Sequence, residues 1–398
     1  MSAKIKKSFC IVCFVMSFAM ADFNPFAAEV INISLNGPNT PFYLPAPGQK
    51  VNVWAFYLAE IALGSPNGGG TQLQNNDEVV TLGGFGGQIV LAFDHDVENN
   101  PANPKGLDAI VFSNAIWYNS NPNQHWAEFA TIEIMPELND NNIPGDYPGE
   151  KWYIIPGSDL PDPCSWRTQT WDDEDDGYPG FDGWPETYDT NAFELFPLYQ
   201  DIDPGYPVIW AFVNPNIEDS DPCNDNLEGA WGYAEYTPTL LLGDRNSDDS
   251  TTGFGDVNDM PAELFYTIPD DPCTVGIDAG ACGGDAFDIE WAVDPCTWQA
   301  ANLDSFRYIR LTTAVDVNEL GALGEISAEI DAVSDVRPYG DINGNNEVDY
   351  FDLELFAESW LSVWSNDNFN AAADFVVDNK IDFLDYSKFA FGFNPLGE

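Results

Sequence analysis

Ten short runs of β-branched and aromatic residues recur between residues 51 and 336, and no long segment of helical period separates them. They read "VNVWAFYLAEIAL", "QIVLAF", "DAIVFSNAIW", "ATIEIM", "KWYIIP", "PVIWAFV", "YAEYTPTLLL", "FDIEWAV", "FRYIRLTT" and "SAEIDAVSDV". Runs of this length and composition fit strands, whose side chains alternate between two faces. In "FRYIRLTT", Phe306, Tyr308 and Arg310 fall on one face and Arg307, Ile309 and Leu311 on the other. The lack of intervening helices disfavours βαβ units, and a two-sheet sandwich is the natural closure for so many strands. Residues 22–336 are therefore expected to form one large β domain. Asp/Asn/Pro/Gly-rich stretches at 137–150, 157–191, 214–229 and 243–261 interrupt it. They are long for loops of a compact domain and point to binding loops, metal-ordered loops or insertions.

The 398 residues carry 66 Asp plus Glu against 13 Lys plus Arg. Lys4, Lys6 and Lys7 precede the apolar run "SFCIVCFVMSFAM" and a small-residue stop at Ala19-Met20-Ala21, the pattern of a bacterial Sec signal peptide over residues 1–21. That run is too short to span a bilayer and no membrane-length apolar segment follows. A soluble protein, secreted or held at the cell surface, is expected. Removing the signal lowers the net charge from −53 to −56, because three lysines and no acids leave. Such a surface repels nucleic acid and anionic lipid and attracts divalent cations. With 44% apolar and 14% aromatic residues, the chain still has ample material for a core.

Five cysteines remain after the signal: Cys164, Cys223, Cys273, Cys282 and Cys296. An oxidising compartment favours disulfides among them, and the odd number leaves one thiol over with the pairing open. Four sit in "DPC" triplets, read here as Asp-Pro turns beside a staple.

The stretches "AEIALGSPNGGG", "VVTLGGFGGQIVLAF" and "GLDAIVFSNAIW", with "FRYIRLTT" and "EIDAVSDV" late in the chain, resemble galactose-binding-like jelly-roll modules of bacterial secreted and surface proteins. The resemblance covers most of 45–336. It implies a jelly roll with a glycine-punctuated hairpin at 79–93, and a carbohydrate-binding or adhesive role. The long acidic insertions at 157–230 and 243–286 depart from that pattern.

A short hinge, "SDVRPYG", leads into a different segment at 340–398. A helix-flanked calcium loop needs oxygen ligands at positions 1, 3, 5, 9 and 12 and a backbone carbonyl at 7. Counting from Asp341 gives Asp341, Asn343, Asn345, Glu347 (through its carbonyl), Asp349 and Asp352. Position 6, where the backbone takes positive φ and Gly is usual, holds Asn346, the best substitute. A second copy starts at Asp374 and supplies Asp378, Lys380 (through its carbonyl), Asp382 and Asp385, with Asn379 at position 6. Val376 cannot ligate at position 3, so the second site is expected to be weaker. Val348 and Ile381 at position 8 are apolar anchors able to bridge the loops. Leu353, Phe356, Ala357, Trp360 and Leu361 then fall on one helix face, and Leu384, Tyr386, Phe389 and Phe391 open another apolar segment.

This duplicated loop-plus-helix pattern resembles the type I dockerin over about 340–393. The resemblance implies Ca2+ as the bound ion, a small α-helical domain, and a cohesin-like or cell-envelope protein as partner. Cellulosomal dockerins carry a Ser-Thr-like pair at positions 10 and 11; here those positions hold Tyr350-Phe351 and Phe383-Leu384.

Weaker signals lie elsewhere. Asp244, Asn246 and Asp248 have metal spacing, but Gly255 stands at position 12. Trp171, Tyr178, Phe181 and Trp184 mix with carboxylates in a stretch suited to sugar stacking or to anchoring its own loop. The "GGFGG" at 83–87 reads as a β-turn, not a phosphate loop. His95 and His125 are the only histidines, and no nucleophile or zinc-protease signature is present. The expectation is a calcium-binding, non-catalytic adhesion or carbohydrate-binding β module joined to a dockerin-like attachment module. The alternative is an extracellular glycoside hydrolase or lyase, whose carboxylate pair a chain this acidic conceals.

Overall fold

The computed structural model describes residues 23–34, 59–67, 71, 79–83, 86–117, 122, 125–126, 130–155, 200–203, 206–208, 233–241, 261–272, 276–295, 297, 299–313 and 328–393. The signal segment, Cys164, Cys223, Cys273, Cys296, Asp244, Asn246, Asp248 and the aromatic cluster at 171–184 lie outside the described residues.

In chain order the strands are β1 (Glu29–Ser34), β2 (Val80–Thr81), β3 (Gln88–Glu98), β4 (Ala109–Ser113), β5 (Ile116–Trp117), β6 (His125–Trp126) and β7 (Ala130–Met135). There follow β8 (Tyr153–Ile154), β9 (Gln200–Asp203), β10 (Tyr206–Val208), β11 (Tyr233–Ala234), β12 (Asp285–Phe287), β13 (Ser305–Thr313) and β14 (Glu329–Asp335). Six strands form one antiparallel sheet in the order β1-β3-β13-β7-β11, with β8 added to β7. Four form a second, β12-β4-β14-β2, also antiparallel. Two ribbons, β5–β6 and β9–β10, stand apart. The protein is mainly β, with two antiparallel sheets and few helices, as a β-sandwich requires.

One core lies between the sheets: Ile89, Leu91 and Phe93 of β3, Ile132 and Ile134 of β7, and Ile309 and Leu311 of β13 meet Val111 of β4 and Ile330 and Val333 of β14. Strand parity explains which residues face inward, and bulges explain the exceptions. A register shift between Phe306 and Tyr308 turns Phe306 onto the core face with Ile309 and Leu311. The simple alternation expected for this strand therefore breaks at its first turn of the pleat. A shift between Ile330 and Ala332 does the same in β14, so Ile330 and Val333 both face the sandwich while Ala332 faces away.

The four-stranded sheet is buried on both faces. Its outer residues Ile110, Phe112, Ala286 and Ala332 share a second core with Phe265, Tyr266, Ile342, Phe356, Ile381 and Phe389. The C-terminal segment thus packs on the sandwich instead of hanging from it. The residues leading into it are tied down as well: Val336 N–H donates to Asp108 O at 2.9 Å, Tyr339 N–H to Ala102 O at 3.3 Å, and Arg337 is buried. The expected hinge is a packed connector.

Three further expectations change. β2 lies in the small sheet and β3 in the large one, so the two are not a hairpin, and Gly83, Gly86 and Gly87 stand at the corner between the sheets; residues 84–85 lie outside the described residues. Gly83 and Gly86 take positive φ there, 84° and 82°, and Thr313 pins the corner through its Oγ1–H to Gly83 O (2.8 Å) and its N–H to Gly87 O (2.8 Å). The end of "VNVWAFYLAEIAL" is a 3-10 turn at Glu60–Ala62 that buries Ala59 and Ala62. In "FDIEWAV" the strand stops at Phe287, where Asp288 accepts Glu290 N–H at 2.7 Å and caps a 3-10 turn.

Candidate functional site

The C-terminal segment contains two loop-helix units that repeat each other. The first loop runs from Asp341 to Asp352 into the helix Tyr350–Ser359, and the second from Asp374 to Asp385 into the helix Phe383–Gly392. Asp341 is buried; its Oδ1 accepts the N–H of Asn345 at 3.1 Å and its Oδ2 that of Asn346 at 2.9 Å. Asp374 does the same with Asp378 (3.2 Å) and Asn379 (3.0 Å). At the other end Asp352 accepts the N–H of Asn343 (3.0 Å) and of Asp349 (2.9 Å). Asp385 repeats this with Val376 (3.1 Å) and Asp382 (2.9 Å).

Asp349 and Asp382 cap the helices by accepting the N–H of Phe351 (2.7 Å) and Leu384 (2.8 Å), and a capping box closes with Asp352 and Asp385. The positions expected to bend do bend: Asn346 has φ 62° and Asn379 φ 64°.

The helices meet about an approximate two-fold. Phe356 stacks on its counterpart Phe389, ring centroids 5.1 Å apart and 23° from parallel. Tyr350 of the first unit meets Phe393 of the second edge-on at 5.7 Å, and the equivalent Phe383 meets Trp360 at 5.1 Å. The apolar faces expected from periodicity are only partly covered. Phe356 and Phe389 are buried, whereas Leu361, Leu384, Tyr386 and Phe391 are exposed.

Val348 and Ile381 both pack on the second core, and their backbones do not pair with each other. Ile381 pairs instead with the chain leaving the first helix, through Leu361 N–H to Ile381 O (2.9 Å) and Ile381 N–H to Ser362 O (3.0 Å).

Every side-chain ligand nominated in the first loop offers an amide or carboxylate oxygen, the donor set of a hard cation. Asn343 and Asn345 accept the N–H two residues on, each at 3.1 Å, and this winds the loop tightly. Burial pushes the Asp341 carboxyl up to about 6 against the pull of Arg337, and the nearby Asp352 charge adds to the push. Burial also raises Asp352 and Asp385. A divalent cation would offset that unfavourable crowding of charge. Among the described residues no group of three or more His, Cys, Asp or Glu side chains is gathered for a metal. A cation here would depend on Asn343, Asn345 and the Glu347 carbonyl as much as on the acids. The second loop fits less well: Val376 offers no side-chain oxygen, and Lys380 Nζ sits 3.2 Å from Asp378 Oδ2.

Sequence reasoning missed how the first loop is anchored to the sandwich. Arg337 Nη1 donates to Asp341 O at 2.7 Å, and Asn346 Nδ2 donates to Asp335 Oδ2 at 3.2 Å. The same Asp335 oxygen lies 3.1 Å from His95 Nε2, whose Nδ1 faces Asp94 at 2.8 Å. Burial opposes charge on His95, but the bonds to Asp335 and Asp94 outweigh it and raise its pKa. Single acids in a chain this acidic give no sequence signal for such a link.

A close carboxylate pair does occur in the sandwich, Asp108 with Asp288. Asp108 is fully buried and accepts the N–H of Asn100 (3.0 Å) and Ile289 (2.9 Å) and Asn103 Nδ2–H (3.0 Å). It pins loops. Among the described residues no helix is long and apolar enough to cross a membrane. No protein-family model and no curated protein matches the chain.

Proposed function

We propose that this chain is an exported, calcium-binding surface or extracellular protein in which a non-catalytic, adhesion or carbohydrate-binding jelly-roll module carries a dockerin-like attachment module. The observation that carries this reading is that the bonds of the first and last Asp of each loop and the helix caps of 341–352 recur in 374–385, with left-handed Asn at the same place and reciprocal ring contacts between the helices. Accidental acidic turns do not share register, caps and packing.

Calcium, when bound, supplies a compact double charge to oxygens that otherwise repel. Asp341, Asn343, Asn345, the Glu347 carbonyl, Asp349 and Asp352 hold it in the first loop; Asp374, Asp378, the Lys380 carbonyl, Asp382 and Asp385 hold it more weakly in the second. Tyr350-Phe351 and Phe383-Leu384, each among the most exposed large apolar residues, stand at equivalent places on the two units. A protein partner of cohesin-like or cell-envelope type would dock on one or both. Calorimetric titration of residues 22–398 with Ca2+ should give two unequal sites, with Asp341→Ala removing the tighter. Equal loss of both sites, or heats unaffected by the substitution, would rule the assignment out.

A further inference from the structure

Among the described residues, three of the seven lysines and arginines gather on one cleft where the sandwich meets the C-terminal units. The cleft, about 410 Å3, is lined by Lys105, Arg337 and Lys388, by the rings of Tyr339 and Phe375, and by two acids, Asp278 and Asp374. In a chain with five acids for every base, a spot where bases outnumber acids is a built feature.

Each base is held differently. Arg337 is buried and fixed by the Asp341 carbonyl, so it lends positive potential from the floor. Lys105 sits at φ 61°, a left-handed position unusual for a lysine, and pairs with Asp278. Both partners are partly exposed, so that pair is weak and can exchange. Lys388 is exposed, lies over the Tyr339 ring at 4.8 Å from its centroid, and meets no carboxylate among the described residues. Asp374 is buried, its oxygens taken by backbone N–H groups of its own loop.

We propose that this cleft binds a uronic-acid sugar, with the carboxylate at Lys388 and Lys105 and the ring hydroxyls donating to Asp278. A simple inorganic anion would be repelled by Asp278, and a neutral sugar would leave Lys388 unanswered. A uronate answers both, and the edge of Phe375, 6.5 Å from the Tyr339 ring, offers an apolar wall to its C–H face. The site is separate from the proposed calcium ligation except for Asp374, and its test does not depend on any attachment partner.

The test is ligand-observed NMR on residues 22–398 at fixed salt with calcium present, using D-galacturonate, D-galactose and inorganic sulfate. Galacturonate should bind about tenfold more tightly than galactose or sulfate, and Lys388→Gln should remove most of that preference. Lys388→Arg should retain it, and Lys105→Gln should weaken it. Lys388 is exposed, so an unchanged melting temperature will show that the variants fold. Equal binding of galactose or sulfate, no galacturonate binding, or a Lys388→Gln variant indistinguishable from the parent overturns the proposal.

Discussion

Asn346 and Asn379 show how much one side-chain choice can decide. Their backbones sit at φ 62° and 64°, where most residues lose roughly 1–2 kcal/mol and Asn or Gly loses little. That much was legible, because the calcium-loop register puts a bend at that place and Asn is the best non-Gly residue for it. Asn379→Gly is expected to leave urea stability within about 0.5 kcal/mol, and Asn379→Val to lower it by about 1–2 kcal/mol. Equal effects of the two substitutions would refute the conformational argument. The roles of Asp335 and Arg337 were not legible. They act on Asn346 and Asp341 through contacts between the sandwich and the first loop, and nothing in their local sequence marks them among so many charged neighbours.

At the scale of elements, the strands that read clearly were those with compact apolar runs, such as β3 and β7. The misread ones failed for local reasons. "FDIEWAV" turns at Asp288 because that carboxylate caps a 3-10 turn, and Phe306 faces the core because a bulge adds a residue before Tyr308. A bulge leaves no mark in a period-2 pattern until the partner strand is known. The C-terminal helices were readable from the apolar spacing that follows each acidic loop. Asp382→Ala should remove about 1 kcal/mol of helix stability and speed amide hydrogen exchange across Phe383–Gly392 more than across the first helix. Uniform exchange in both helices would show that the cap contributes nothing. The partial exposure of the second helix's apolar residues was hidden, because periodicity states which residues share a face and not what covers it.

For the whole molecule, two properties set the terms: buried acids and a tightly docked C-terminal segment. Burial raises Asp108 to about 8 and Asp270 and Asp285 to about 7, so the folded state binds these protons more tightly than the unfolded chain does. Their contribution is fully present below the unfolded carboxylate range and is lost as pH rises through 7 to 8. In calcium-depleted buffer the melting temperature should therefore be higher at pH 5 than at pH 8, a difference of roughly a few kcal/mol in stability. A melting temperature that rises with pH over that range would reverse the sign and refute it. Docking is close at Gly392, where an added Cβ would fall 1.7 Å from Tyr339 O. Gly392→Ala should accordingly cost about 1–3 kcal/mol, read in thermal unfolding. The most direct test of the calcium-ordered pair is a melt of residues 22–398 with excess Ca2+ and with chelator at pH 7.5. We expect calcium to raise the unfolding temperature of the C-terminal segment by several degrees, and Asp341→Ala to abolish most of that gain. A melting curve identical in calcium and chelator would contradict it.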